Sequence, residues 1–164
     1  MPGSATLRRR SGLMLVRDPA VSLTVPNMIE TAAAFPGEAE LTHILVVSDP
    51  ERSRDFYRDV VGAHIVREYG GTSVVARLAG TWLLLVTGGA PTPDKPTITF
   101  TPPVDANAVT HAMTFRVPNC QAAYELLRSR GAVFLTPPIR NDHEVRCFFR
   151  DPDGHLIELS EYSG

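Results

Sequence analysis

The sequence predicts an α+β fold: two βαβββ modules whose sheets curl into a cup, with the helices outside. Three observations predict it. The stretch Arg146 to Glu161 reads as two strands joined by a tight turn. A strand followed by a capped helix start occurs twice, at Leu41–Glu51 and at Thr110–Asn119. The two copies lie 68 residues apart at the strands, His43 to His111, and 69 apart after the helices, Gly62 to Gly131. An echo of that length marks a duplicated supersecondary unit.

In chain order, Leu41 to Val47 is apolar and β-branched and predicts a strand. Ser48-Asp49-Pro50-Glu51 then carries capping side chains, a Pro in the first turn and an acid that complements the helix dipole. Phe56, Val60 and Val61 recur at helical spacing, and Gly62 is the expected stop. Strands are predicted over 63–69, 72–78 and 81–87, punctuated by Gly70-Gly71 and Gly80. Residues 88–108 hold five prolines and read as a linker, with a short extended piece at Ile98-Thr99-Phe100. The second module, 109–162, repeats the plan. Val117-Pro118-Asn119 opens its helix, and Tyr124 takes the place of Phe56. In the opening stretch Asp151-Pro152-Asp153-Gly154 fits a type I turn between strands. Residues 1–40 read as an extension without assigned chemistry; 41–162 is the folded domain, with modules 41–87 and 109–162.

Composition narrows the function classes. The 164 residues are 43% apolar and 21% charged, with a net charge of −2. No electrostatic drive toward nucleic acid or an anionic membrane follows from that balance, and no apolar run is long enough to span a bilayer. Cys120 and Cys147 make no disulfide framework, which fits a cytoplasmic, reducing setting. An exposed edge strand and a cup rim make a homodimer plausible.

The candidate chemistry centres on Glu158, a carboxylate in a mostly apolar strand, which is costly to bury unless paired or metal-bound. His43 shares a strand face with Leu45 and Val47, and His111 with Val109, Met113 and Phe115. If the repeat brings both histidines to Glu158, the three form a facial triad with open coordination positions. Such a triad suits Fe(II), and also Mn, Ni, Co or Zn. Leu84 stands where Glu158 has its counterpart in the first module, so three protein ligands are expected rather than four. Leu45, Trp82, Leu84, Met113, Phe115 and Phe148 are the candidate lining for a small apolar or aromatic substrate. His143, in a polar loop, is a candidate acid or base. His64 is expected to be structural, and His155 to point opposite to Glu158 by strand alternation. Arg67, Arg77, Arg146 and Arg150 are candidates to meet an anionic group at the rim.

Residues 41–162 resemble the vicinal oxygen chelate superfamily, which includes glyoxalase I, fosfomycin-resistance enzymes, bleomycin-binding proteins and extradiol dioxygenases. The resemblance rests on THILVVSDPERSRDFYRDVVGA, on TWLLLV and on FFRDPDGHLIELSE. It implies paired βαβββ modules and a divalent metal at His43, His111 and Glu158. Leu84 departs from the glyoxalase I pattern, Ile44 and Leu45 from the fosfomycin pattern, and Phe148 lacks the hydroxyl that extradiol dioxygenases use. The expected activity is therefore metal-dependent and dioxygenase-like, with a glyoxalase-type lyase or isomerase, or a drug-sequestering binding protein, as the alternatives.

Overall fold

The computed structural model describes residues 37–162. The expected N-terminal extension lies almost wholly outside the described residues. Glu38 onward forms one compact unit that contains both modules.

In the first module β1 (Thr42–Val47) leads into α1 (Pro50–Asp55). Asp49 caps α1 by accepting from the N–H groups of Glu51 and Arg52, and Pro50 occupies the first turn. The helix runs straight on into a π-helical turn, Phe56–Val61, which ends at Gly62 with φ of 90°. Next come β2 (His64–Tyr69), β3 (Ser73–Leu78) and β4 (Thr81–Thr87), giving a sheet in the order β1-β4-β3-β2. Within it β1 and β4 run parallel. The linker holds two isolated bridges, Gly89 to Phe100, at the expected extended piece, and Thr92 to Lys95.

The second module repeats the order. β5 (Ala112–Arg116) leads to α2 (Cys120–Ser129), capped by the Asn119 side chain. The short strands β6 (Val133–Phe134) and β7 (Ile139–Arg140) then pair with β8 (Glu144–Arg150), which pairs with β9 (Leu156–Tyr162). β9 runs parallel to β5 as β4 does to β1.

Strand alternation gives each sheet one buried face and one open face. In the first module Leu45, Val47, Val74, Ala76, Leu83 and Leu85 are buried with Tyr57 and Val60 of the helix. In the second, Cys147, Phe149, Ile157 and Leu159 are buried with Cys120, Tyr124 and Leu127 of α2. All belong to one continuous core.

The β8–β9 turn joins the modules. Gly154 N–H donates to Asp151 C=O at 3.1 Å, closing the expected four-residue turn. Asp153 accepts from the Ser48 N–H (2.8 Å), from the Ser48 and Ser53 hydroxyls and from Arg52. Tyr57 donates to Asp151 at 3.0 Å, and His155 Nε2 donates to the Val46 carbonyl at 2.8 Å. His155 thus ties the turn to β1. The acidic side chains of one module's turn hold the first helix of the other.

Candidate functional site

Register decides which candidate residues meet. Ile44 on β1 lies opposite Leu84 on β4, and Thr114 on β5 lies opposite Glu158 on β9. Glu158 is therefore the counterpart of Leu84, as the sequence indicates. The two histidines are not counterparts of one another. Ile44 matches Thr114 and the helix cap Asp49 matches Asn119, a shift of 70 in both cases. That shift sets His43 against Met113, and sets His111 against Leu41.

His43 and His111 do approach each other, with ring centroids 5.5 Å apart. They stand at the edge of the buried faces: His43 lies opposite Leu83, and Met113, two residues after His111, lies opposite Ile157. Glu158 points to the other face of its strand. It accepts a hydrogen bond from Thr114 Oγ1 at 2.7 Å and lies 4.0 Å from Arg146. The expected triad is thus corrected: two histidines come together and the carboxylate does not join them. Among the described residues no three His, Cys, Asp or Glu side chains gather closely enough to hold a metal ion. The reason is the two-residue period of a strand, which sends Ile157 toward Met113 and Glu158 away from it.

The uncovered face of the second sheet carries Glu158, Thr114, Phe148 and Ser160, with Glu144 and Arg146 paired at 2.9 Å. A cleft of about 540 Å³ there is lined by Thr114, Arg116, Glu144, Glu158 and Ser160, with Ala79 of the first module. The uncovered face of the first sheet carries Ile44, Val46, Trp82 and Leu84. Trp82 is held from two directions. Its Nε1 donates to Glu40 at 2.7 Å, and the Arg77 guanidinium sits over its ring at 4.2 Å from the centroid. Ile44 is 49% exposed.

The candidate lining residues therefore divide. Trp82, Leu84 and Phe148 are on open faces. Leu45 is core, and Met113 and Phe115 face a cleft of about 150 Å³ shared with His43, Leu78, Ala79 and Leu83. Of the rim arginines, Arg77 is stacked on Trp82, and Arg150 is bound to the Ala106 carbonyl and the Asn107 side chain. His143 is exposed in the loop before β8, and His64 is exposed at the start of β2. Sequence reasoning missed Glu40, Thr114 and Glu144; Thr114 is visible in the sequence as the polar residue between Met113 and Phe115.

Residues 40–159 match the family described as Glyoxalase/Bleomycin resistance protein/Dioxygenase superfamily. The chain belongs to that superfamily. Solved structures agree on the fold. A glyoxalase/bleomycin resistance protein/dioxygenase from Nocardioides is 20% identical, with TM-score 0.63, over 81% of this chain and 89% of that one. TnmS3, an antibiotic binding protein from Streptomyces sp. CB03234, is 23% identical, with TM-score 0.57, over 79% of this chain and 99% of that one. Lactoylglutathione lyase from Agrobacterium tumefaciens is 20% identical, with TM-score 0.56, over 77% of this chain and 96% of that one. At these identities the likeness is one of fold. No curated protein matches the chain in sequence.

Superfamily members typically use a divalent metal. The open face of the first sheet presents Thr42 and Ile44 on β1 and Leu84 on β4, and that of the second presents Ala112 and Thr114 on β5 beside Glu158. The other carboxylate lining the cleft at Glu158 is Glu144, engaged by Arg146 and Ser160, and no imidazole lines that cleft. The residues present do not fit a two-histidine, one-carboxylate centre. Among the described residues, no helix is long and apolar enough to cross a membrane.

Proposed function

We propose that this protein binds a small molecule with an apolar, aromatic ring system on the open faces of its sheets, and that it does so without a metal. The carrying observation is Trp82, fixed between Arg77 and Glu40 on an uncovered apolar face beside Leu84 and Ile44. An indole already held in one orientation loses little freedom when a flat ligand lies on it, so its contact area converts efficiently into affinity. Glu158 and Thr114 supply a hydrogen-bonding group on the second sheet that orients a polar substituent. An antibiotic binding protein shares the fold, and the dioxygenase and lyase readings need three metal donors on one surface, where strand register puts Glu158 on the face away from His43.

The test uses the chain's single tryptophan as reporter. Metal-free bleomycin and a planar anthraquinone are titrated in EDTA while Trp82 fluorescence is followed, and sedimentation velocity reports the oligomer. Saturable quenching in EDTA supports the reading. Its absence, together with turnover that appears only on adding Fe(II), Mn(II), Ni(II) or Zn(II), overturns it.

A further inference from the structure

Cys120 and Cys147 are the only cysteines in the sequence, and the fold sets their sulfurs 3.8 Å apart. Both are buried. Cys120 is the first residue of α2, and its N–H donates to Glu161 at 2.8 Å. Cys147 sits mid-strand in β8, opposite Leu159, whose carbonyl is 3.7 Å from the Cys120 sulfur. The two thiols thus belong to different elements and touch inside the core. Closing the gap to an S–S bond of about 2.05 Å takes a small adjustment of side-chain torsions and of the helix end.

We propose that Cys120 and Cys147 form a reversible intramolecular disulfide when the protein meets a peroxide, fastening α2 to the second sheet. One sulfur, as thiolate, attacks the peroxide O–O bond, giving a sulfenic acid and one water. The other sulfur then displaces the sulfenic hydroxyl, which leaves as the second water with the remaining thiol proton. Two thiols are oxidised to one disulfide, and one peroxide is reduced to two waters. Cys120 is the attacking residue, because it is the first residue of α2 and local opening of that helix end exposes it before the mid-strand Cys147. Burial pushes both thiols up, Cys147 to about 12. The reaction therefore waits on opening of the first turn of α2, and it is slow compared with an exposed thiol. Cys147 lies between Arg146 and Phe148, whose side chains are on the open face, so the cross-link also pins the strand that presents them.

The test uses the full chain, reduced and then exposed to hydrogen peroxide, and needs no ligand. Both thiols are expected to disappear from Ellman titration in guanidinium. Tryptic residues 117–128 should appear linked to residues 147–150, in a product that migrates as a single chain. The midpoint of thermal unfolding should rise by roughly 5–10 °C and fall back with dithiothreitol. Cys147→Ser should show neither the linkage nor the rise. Persistence of two titratable thiols, oxidation to sulfinic acid, or linkage only between chains overturns the proposal.

Discussion

Thr114 and Glu158 face each other across the parallel pair of β5 and β9 and share a hydrogen bond of 2.7 Å. That contact fixes the Glu158 carboxylate on the face away from His43 and His111. It leads to the first prediction. His43→Ala, His111→Ala and Glu158→Gln should not act as one unit toward Zn(II) or Ni(II). Isothermal titration should show no site of one metal per chain that all three substitutions abolish. Such a site would restore the facial triad.

The strands, both helix caps, the β8–β9 turn and the counterpart of Glu158 were legible in the sequence. Each is local: Asp49 and Asn119 cap their own helices, and Gly154 closes its own turn. The site was less legible because it depends on register between strands far apart in sequence. The His43–His111 echo looked like a 68-residue repeat, whereas backbone pairing sets it at 70. A clue was present. Ile157 and Leu159 are the apolar partners that Met113 and Phe115 need, and Glu158 lies between them. The π-helical turn at Phe56–Val61 had no signal at all, since helical spacing alone reads as α.

Ala79 and Gly80 form the two-residue connection between β3 and β4, with Leu78 paired to Thr81. Both have positive φ, 48° and 80°, as a type I′ hairpin requires. At Ala79 the left-handed conformation brings Cβ close to the following carbonyl. Ala79→Gly should therefore stabilise the protein, by about 0.5–1 kcal/mol after the added freedom of glycine in the unfolded chain. Urea unfolding should show a higher midpoint with an unchanged slope.

Trp82→Ala should remove most ligand affinity while leaving the fold intact, because the indole lies on an uncovered face rather than in the core. Loss of a stacked aromatic anchor costs about 2 kcal/mol or more in binding, some thirtyfold in Kd. Ligand-induced protection in thermal shift checks this where the tryptophan reporter is gone. Leu45→Ala should instead unfold easily, since Leu45 is only 3% exposed.

Asp153 receives hydrogen bonds from Ser48, Ser53 and Arg52. Burial pushes its carboxyl up, but these donors outweigh burial and hold it below the usual carboxylate range. A depressed folded-state value contributes stability that is present above the unfolded value near 4 and is lost as pH falls through the folded one. Asp153→Asn should destabilise at pH 7, and the gap between variant and wild type should shrink below pH 4. Chemical denaturation at pH 7, 5 and 3 checks both.

Tyr57 is fully buried and donates to Asp151 at 3.0 Å, joining the first helix to the β8–β9 turn. Burial, with the Asp151 charge beside it, holds its hydroxyl well above the ordinary value of 10.0. Because the folded value is raised, the unfolded chain loses this proton first. The stability it contributes is complete below pH 10 and declines above it, by about 1.4 kcal/mol per pH unit. Tyr57→Phe removes the hydrogen bond and should cost about 1–2 kcal/mol at pH 7. Asp151 keeps the N–H groups of Asp153 and His155 as donors, which limits that cost. Above pH 10 the variant should lose stability less steeply than wild type, so the two curves converge. Urea unfolding between pH 7 and 11 measures the convergence; parallel curves would mean that the hydroxyl ionises in the folded protein as readily as in the unfolded chain.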